Sequence, residues 1–238
     1  MLFFLVRHGE PIYKPDSLTE QGHKQAAALA KRFAKYGLDA IYSSTSIRAQ
    51  MTAQPTCEAL GMEMQLCPWA HEDLTSRDME LVREDGRKIW AFAEPQMIEW
   101  FNRPDVLALG EQWYTHPLFA DTNFARGEQR IDAETDAFFL TLGFRHDREN
   151  NCYEKVGETK ERVALFAHQG FGLSFLSSVL GIPYPLAATH LNLSHSSMTV
   201  IHFDESQPKI FARMLQLSND SHLYREDLLT GYNNRHHF

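Results

Sequence analysis

The sequence predicts an α/β protein: a three-layer sandwich with a mostly parallel central sheet flanked by helices, plus a helical insertion. Three observations predict it. Short apolar runs alternate with longer amphipathic runs at both ends of the chain, glycines and capping residues separate these runs, and the middle, at about 73–160, instead carries many charged and aromatic residues. Strands that alternate with helical segments are typical of βαβ units and therefore of a parallel sheet.

Three apolar runs in the first third of the chain predict strands at residues 1–6, 39–44 and 62–67. Two helices are expected between them. In the first helix, Thr19 is a suitable N-cap and Gly37 follows the last turn. The second helix, at residues 45–61, begins with capping residues, and Pro55 is expected to kink or divide it.

The last third of the chain continues the alternation. Apolar runs predict strands at 162–168, 196–203 and 209–217, and the run at 171–181 predicts a helix. The final residues, "NNRHHF", are expected to form a frayed tail, because chain ends are commonly disordered.

The middle segment, about 73–160, is predicted to be a mainly helical insertion over the sheet, with helical periodicity at 94–103 and 132–144. No Gly/Ser/Pro-rich linker marks a boundary, so residues 1–238 are expected to form a single domain, and a separate domain is the alternative. The aromatic residues of the insertion either fill a core, as aromatics at helical spacing usually do, or cap a pocket. They are Trp90, Phe92, Trp100, Phe101, Trp113 and Tyr114.

Composition and charge restrict the function. A formal net charge of −8 over 238 residues disfavours electrostatic binding to nucleic acid or to an anionic membrane. The apolar start of the chain is too short for a signal peptide or a membrane span, and the three cysteines are odd in number and lack the spacing of a metal site. We therefore expect a cytoplasmic protein without disulfides or a structural zinc ion.

Polar groups follow three of the predicted strands at the points where these strands end. They are Arg7-His8-Gly9, Ser43-Ser44 and His168-Gln169-Gly170. In open α/β sheets ligands bind beyond the carboxyl ends of the strands, so we expect these groups to converge, with Arg48 of the second helix beside them. Two arginines, two histidines and helix-end amides suit a tetrahedral, multiply charged anion, above all a phosphoryl group.

Four stretches carry a likeness to a known family: "LVRHGE", "LTEQGHKQA", "YSSTSIRAQMTA" and "FAHQG". In their order and context they resemble the histidine phosphatase superfamily, which also contains cofactor-dependent phosphoglycerate mutases. The likeness covers residues 1 to about 72 and about 160–220.

The resemblance implies that His8 is the nucleophile that becomes phosphorylated. A nucleophilic imidazole must be neutral at the attacking nitrogen, and a backbone carbonyl near Gly9 is expected to hold its other nitrogen. Arg7, Arg48 and a protonated His168 are expected to supply the positive charge that other phosphotransferases take from a metal ion, so neither a metal nor another cofactor is expected. The phosphate-binding residues are then Arg7, Arg48, His168, Gly9 and Gln169.

The leaving alkoxide needs a proton, which a carboxylic acid usually provides. Glu72 is the best candidate, because it lies shortly after the third predicted strand, where members of this superfamily place their acid. Its neighbours Asp73, Asp78 and Glu80 are rivals.

Some positions depart from the superfamily pattern. Many relatives carry an asparagine in the loop after the first motif; none is present here, and Tyr13 or Lys14 either replaces it or is an exposed turn residue. His195 is near a position where relatives often have asparagine, and it is not expected to be catalytic. Glu10 and Gln169 adjoin the motifs and either line the pocket or belong to the scaffold.

Three functions stay open, and the first is preferred. It is the metal-independent hydrolysis of a phosphomonoester, on a small molecule or a phosphoprotein, through a phosphohistidine, as in a histidine acid phosphatase-like hydrolase. The second is a phosphoglycerate mutase, but the mutases carry Glu-Arg-His-Tyr-Gly after the third strand, where this chain reads "HEDLTSRDME". The third is a non-catalytic phosphate-binding module, which the intact set of Arg7, His8, Arg48 and His168 disfavours.

Overall fold

The computed structural model describes all residues, 1–238, and contains fourteen strands, nine α-helices and four short 3-10 helices. The strands are β1 (Leu2–Arg7), β2 (Pro11–Tyr13), β3 (Asp16–Leu18), β4 (Ala40–Ser44), β5 (Met64–Cys67), β6 (Glu80–Val82), β7 (Lys88–Trp90), β8 (Phe144–Asp147), β9 (Cys152–Lys155), β10 (Arg162–Ala167), β11 (Met198–His202), β12 (Arg213–Asn219), β13 (Gly231–Tyr232) and β14 (His236–His237). The helices are α1 (Glu20–Phe33), α2 (Ile47–Leu60), α3 (Glu72–Met79), α4 (Pro95–Phe101), α5 (Pro104–Leu107), α6 (Phe124–Thr141), α7 (Gln169–Leu180), α8 (Tyr184–His190) and α9 (Ser221–Arg225).

Six of the strands form the central sheet, in the order β12-β11-β1-β10-β4-β5. The pairs β1–β10, β10–β4 and β4–β5 are parallel, whereas β11 pairs antiparallel with both β1 and β12. The mostly parallel sheet expected from the alternating pattern is therefore confirmed, with its antiparallel strands at one edge.

Side chains along β1 alternate between the two faces of the sheet. Phe3 and Leu5 belong to the core beneath α6 and α7, whereas Phe4 and Val6 belong to the core beneath α1 and α2. Parallel strands are buried on both faces because the crossover helices cover both, which explains why β1 is an unbroken apolar run. The three-layer sandwich is confirmed.

The N-cap of the first helix and the C-cap of the second are as expected, whereas α1 already ends at Phe33, with Ala34 and not Gly37 as its C-cap. The Thr19 hydroxyl accepts a hydrogen bond from the Gly22 amide at 3.0 Å, which satisfies a free donor of the first turn. Gly61 ends α2 in the left-handed conformation at φ 63°. The helix runs through Pro55 without a break, so the expected division of α2 is wrong: the proline costs one backbone hydrogen bond, but the flanking turns continue.

The segment between β5 and β10 contains α3 to α6 and two hairpins, β6–β7 and β8–β9, that the sequence did not predict. Phe101 and Trp113 are fully buried in a core that also includes Leu173 of α7 and Tyr184 of α8. These aromatic residues therefore fill a core that joins the insertion to the second half of the chain.

The end of the chain is ordered into a small hairpin, in which β13 pairs with β14. The Asn234 side-chain amide also donates to the Pro11 carbonyl at 3.2 Å. The expected frayed tail is wrong, because these residues find backbone and side-chain partners. None of the nine helices is long and apolar enough to cross a bilayer.

Candidate active site

The carboxyl ends of β1, β10 and β4 lie side by side and bring the predicted site residues together. The rings of His8 and His168 have their centroids 5.2 Å apart. Arg7 and Arg48 are also buried, with 4% and 9% of their surface exposed. Two guanidinium groups and two imidazoles thus share one buried cluster, as the strand ends predicted.

His8 is held in one tautomer by its own loop. Its Nδ1 lies 2.7 Å from the Gly9 carbonyl oxygen, which can only accept, so Nδ1 carries the proton and Nε2 keeps its lone pair. Burial, followed by the nearby His168, Arg7 and Arg48, lowers the pKa of His8 well below its usual value. His8 is therefore a neutral imidazole with a free Nε2, as the sequence required of a nucleophile.

Gly9 allows the backbone to pack closely, and its own polar groups are already engaged. A Cβ at this position would lie 2.7 Å from the Gly22 carbonyl oxygen, so only glycine fits against the start of α1. The Gly9 amide donates to the Thr52 hydroxyl at 2.9 Å, and the carbonyl accepts from His8. No backbone donor of Gly9 is left for the phosphate contact expected from the sequence.

Arg7 is oriented by a histidine that the sequence set apart from catalysis. Its Nη2 donates to Nε2 of His195 at 2.9 Å, and its Nη1 donates to the Leu193 carbonyl. Burial first, and then the Arg7 charge, lowers the pKa of His195 to about 2, so its ring stays neutral and accepts. Burial lowers the pKa of Arg7 to about 10, which still leaves Arg7 charged at neutral pH.

His195 is therefore part of the site, although its chemistry is that of a positioning residue. Its ring stacks beside that of His8, with centroids 5.9 Å apart. The signal available in the sequence was weak: a histidine among polar residues before a strand.

Arg48 projects from the first turn of α2 between two partners. Its Nη1 donates to Asp16 of β3 at 2.9 Å, and its Nη2 donates to Nδ1 of His168 at 3.1 Å. The guanidinium carbon lies 5.5 Å from the centroid of the Tyr13 ring. The β2–β3 hairpin thus holds Arg48 in place through Asp16 and places Tyr13 beside it, whereas the sequence left Tyr13 open and did not identify Asp16.

His168 accepts from Arg48 at Nδ1 and donates from Nε2 to the Ser44 hydroxyl at 2.8 Å. Burial, followed by Arg48, His71 and Arg7, lowers the pKa of His168 well below its usual value. The protonated His168 expected from the sequence is therefore disfavoured by these neighbours, and it requires a further negative charge next to the ring.

Glu72 is the first residue of α3 and reaches the start of α7. Its Oε1 accepts from the Gly170 amide at 3.0 Å, while Oε2 has no hydrogen-bond partner and lies 3.5 Å from Nδ1 of His168. A Cβ on Gly170 would lie within 2.5 Å of Oε1 and 2.4 Å of the Trp90 ring. The sequence predicted that amides at the start of this helix would bind an anion. In the structure, the Gly170 amide instead binds the carboxylate of Glu72.

The rival carboxylates point elsewhere. The side chain of Asp73 is 72% exposed. Asp78 is buried, but both of its oxygens accept from arginines of α6 at 2.8 Å. Glu80 lies in β6, on the hairpin. Of these carboxylates, Glu72 is the one beside the histidines.

Gln169 and Glu10 lie at the border of the cluster, where the C-terminal hairpin meets it. The Gln169 amide nitrogen donates to Asn192 and, at 3.4 Å, to the hydroxyl of Tyr232, while its buried Oε1 has no partner. Glu10 accepts from Thr19 at 2.9 Å, and its other oxygen lies 3.3 Å from Nε2 of His237. The residues described contain no group of three His, Cys, Asp or Glu side chains suited to a metal ion.

Two curated proteins illustrate the sequence similarity of this chain to phosphoryl-transfer enzymes. A putative phosphoserine phosphatase 2 of Hydrogenobacter thermophilus is 27% identical over 140 residues, which is 54% of this chain and 62% of that protein, so the match spans less than two thirds of the relative. A probable phosphoglycerate mutase of Yersinia pestis (strain Pestoides F) is 27% identical over 214 residues, 85% of each chain.

Solved structures share the fold. A mycobacterial glucosyl-3-phosphoglycerate phosphatase in complex with VO₃ superposes with a TM-score of 0.57 at 19% identity, covering 90% of this chain and 97% of that one. A variant phosphoserine phosphatase from Entamoeba histolytica in complex with phosphoserine gives 0.58 at 18% identity, covering 93% and 98%. The sequence profile of the histidine phosphatase superfamily (branch 1) matches residues 3–114, the part that carries Arg7, His8, Arg48 and Glu72. The profile match over residues 3–114 and the similar relatives support the histidine phosphatase superfamily for this chain, and the solved structures share its fold.

Proposed function

We propose that this protein is a metal-independent phosphomonoesterase that works through a phosphohistidine at His8. The observation that carries the proposal is the hydrogen bond from Nδ1 of His8 to the Gly9 carbonyl, at 2.7 Å. It leaves Nε2 unprotonated in the middle of Arg7, Arg48 and His168. A neutral imidazole nitrogen among cationic and hydrogen-bonding groups is suited to attack phosphorus.

Arg7, Arg48 and His168 would bind the phosphoryl oxygens. Both guanidinium groups have a buried Nε–H without a hydrogen-bond partner, an uncommon state for a buried donor. Phosphoryl transfer places negative charge on the equatorial oxygens, which such donors stabilise. The same charge would favour the protonated form of His168, because it opposes the Arg48 and Arg7 charges that lower its pKa.

The proposed reaction has two steps, phosphorylation of His8 and hydrolysis of the phosphohistidine. Nε2 of His8 forms a bond to phosphorus while the bond from phosphorus to the ester oxygen breaks, and Glu72 gives its proton to the leaving oxygen. Water then attacks the phosphohistidine, its proton passes to the carboxylate of Glu72, and phosphate leaves His8. Oε2 of Glu72 is the oxygen assigned to the proton, because Oε1 already accepts from Gly170.

The substrate class is a phosphorylated small molecule or a phosphoprotein. The names of the similar proteins support phosphate esters of small hydroxy acids, such as phosphoserine and glucosyl-3-phosphoglycerate. The second candidate is a phosphoglycerate mutase, which the Yersinia relative favours.

A panel of phosphorylated metabolites, phosphoproteins and 3-phosphoglycerate separates these functions when both free phosphate and isomerised product are followed. Free phosphate without isomerisation supports the phosphatase, and isomerised 3-phosphoglycerate supports the mutase. No turnover of any substrate would contradict both and indicate a phosphate-binding module.

The pH dependence of kcat/KM should be bell-shaped, with its optimum on the acidic side of neutrality. Because burial and the neighbouring groups lower the pKa of His8, this residue stays neutral and reactive well below pH 6.5, and activity falls only in more acidic solution. At higher pH, the site loses the proton that the leaving group needs. The profile is measured from pH 4 to 9 with an alkyl phosphate.

The acidic and basic limbs of the pH profile report apparent pKa values of the coupled site, not the pKa values of individual residues. The second ionisation of the substrate, near pH 6, is common to wild type and Glu72→Gln, so the variant serves as the control. A flat profile in the wild type, with chemistry limiting, contradicts the assignment.

Chelation of metal ions should leave turnover unchanged. The positive charge at phosphorus is assigned to Arg7, Arg48 and His168, so dialysis against EDTA should not reduce kcat/KM with an alkyl phosphate. A loss of activity that added Mg²⁺ or Zn²⁺ restores would show that a metal supplies this charge instead.

A further inference from the structure

A groove of about 480 Å³ lies between α1 and α9 and shares no lining residue with the candidate active site. Small-molecule pockets typically measure about 300–1,000 Å³, so the groove is large enough for a metabolite. Its lining is strongly basic. The charged or ionisable side chains are Lys31, Arg32, Lys35, Tyr36, His222, Arg225 and Glu226.

The four cationic side chains of the groove are notable on a chain with a formal net charge of −8. Glu226 is the only carboxylate in the lining, and it pairs with Lys31. Arg32 donates to the Ser221 hydroxyl at 2.9 Å and to Asn219, which orients its guanidinium without neutralising it. Lys35 and Arg225 form no ion pair within the chain. The groove therefore keeps an excess of positive charge.

His222 is buried in the wall of this groove. Its side chain belongs to a residue only 4% exposed, and its buried Nδ1 has no hydrogen-bond partner, which is uncommon in folded proteins. Its Nε2 lies 2.9 Å from the Ser196 hydroxyl, and the Ser196 amide donates to the His8 carbonyl at 3.0 Å. The wall of the groove is thus connected to the loop that carries His8.

We propose that this groove is a second anion site, which binds a small phosphorylated molecule with at least two negative charges. Arg32 and Arg225 would contact phosphate oxygens through their planar N–H groups, and Lys35 would add a point charge. The site is separate from the chemistry at His8, so it does not depend on the proposed phosphatase activity.

The test is a titration of the isotopically labelled full chain with methylenediphosphonate, followed by the backbone amide signals. This probe has no hydrolysable ester, so binding is read without turnover. Signals of Ser221–Arg225 report the groove, and signals of Arg7–Gly9 report the candidate active site in the same experiment. We expect the α9 signals to shift and saturate.

Charge variants then locate the bound anion. Lys35→Gln/Arg225→Gln should raise the Kd read from the α9 signals by at least about tenfold, because it removes two of the charged donors proposed to contact the anion. The Arg7–Gly9 curve should stay unchanged. Glu226→Gln should lower that Kd, because it frees Lys31. The control pair Lys24→Gln/Lys209→Gln also removes two positive charges, but outside the groove. It should change neither the α9 nor the Arg7–Gly9 titration curve.

Two results would overturn the proposal: α9 signals that do not shift, or an α9 curve that is the same in Lys35→Gln/Arg225→Gln and in the control pair. Shifts at α9 without any at Arg7–Gly9 would support the groove and count against the phosphate-binding residues of the proposed function. The experiment can therefore contradict the second anion site without contradicting the proposed phosphatase function, and the reverse.

Discussion

His8→Ala should abolish both the phosphoenzyme and turnover. We expect kcat/KM to fall by at least on the order of 10⁴-fold, because no other side chain in the cluster offers an unprotonated, cation-flanked nitrogen in the place of Nε2. A phosphoramidate on imidazole is labile to acid and stable to base. Rapid quenching of the wild type in alkali should therefore trap a singly phosphorylated chain, with the label in the peptide that contains "VRHGE".

The control for this experiment is His23→Ala. His23 is an exposed histidine of α1, so its loss should change neither label nor rate. The only side-chain hydrogen bond of His8 goes to its neighbour Gly9, so His8→Ala should fold, which the thermal unfolding midpoint checks. A label on His168, or near wild-type turnover in His8→Ala, would show that the nucleophile is assigned wrongly.

Glu72→Gln should affect poor and good leaving groups differently. With an alkyl phosphate, whose alkoxide must be protonated as it leaves, we expect phosphorylation of His8 to slow by about 10²- to 10⁴-fold. With an activated aryl phosphate, which needs little protonation, the label should still form in a rapid-quench experiment. Its hydrolysis by water should be impaired, so phosphoenzyme should accumulate.

Two features make Glu72→Gln a clean test. The glutamine can keep the amide contact, because its side-chain oxygen can still accept from Gly170 where Oε1 does now at 3.0 Å. Asp73→Asn removes the adjacent but largely exposed carboxylate and should leave both steps unchanged. Equal losses with the alkyl and aryl esters, or an equal loss in Asp73→Asn, would exclude Glu72 as the proton donor.

Local patterns in the sequence were enough to predict the sheet and the three groups around the proposed nucleophile, which are Arg7, Arg48 and His168. β1 and β10 are buried on both faces, so they appear as unbroken apolar runs that end at Arg7 and His168. Parallel strands end at a common edge, and therefore the sequence alone places His8 close to His168, 160 positions further along the chain. Thr19 and Gly61 were equally predictable, since caps depend on residues within one turn.

The residues that orient this cluster became identifiable only in three dimensions. His195 lies 188 residues from the Arg7 that it holds, and Asp16 lies 32 residues from Arg48. Both lie outside the long periodic runs of strands and helices, so no pattern of spacing points to their partners. For the same reason, the sequence did not predict the C-terminal hairpin and could not single out Glu72 from the neighbouring carboxylates. Hydrophobic periodicity determines which face of a helix or strand is buried. Polar contacts between irregular segments depend instead on how the helices and strands pack.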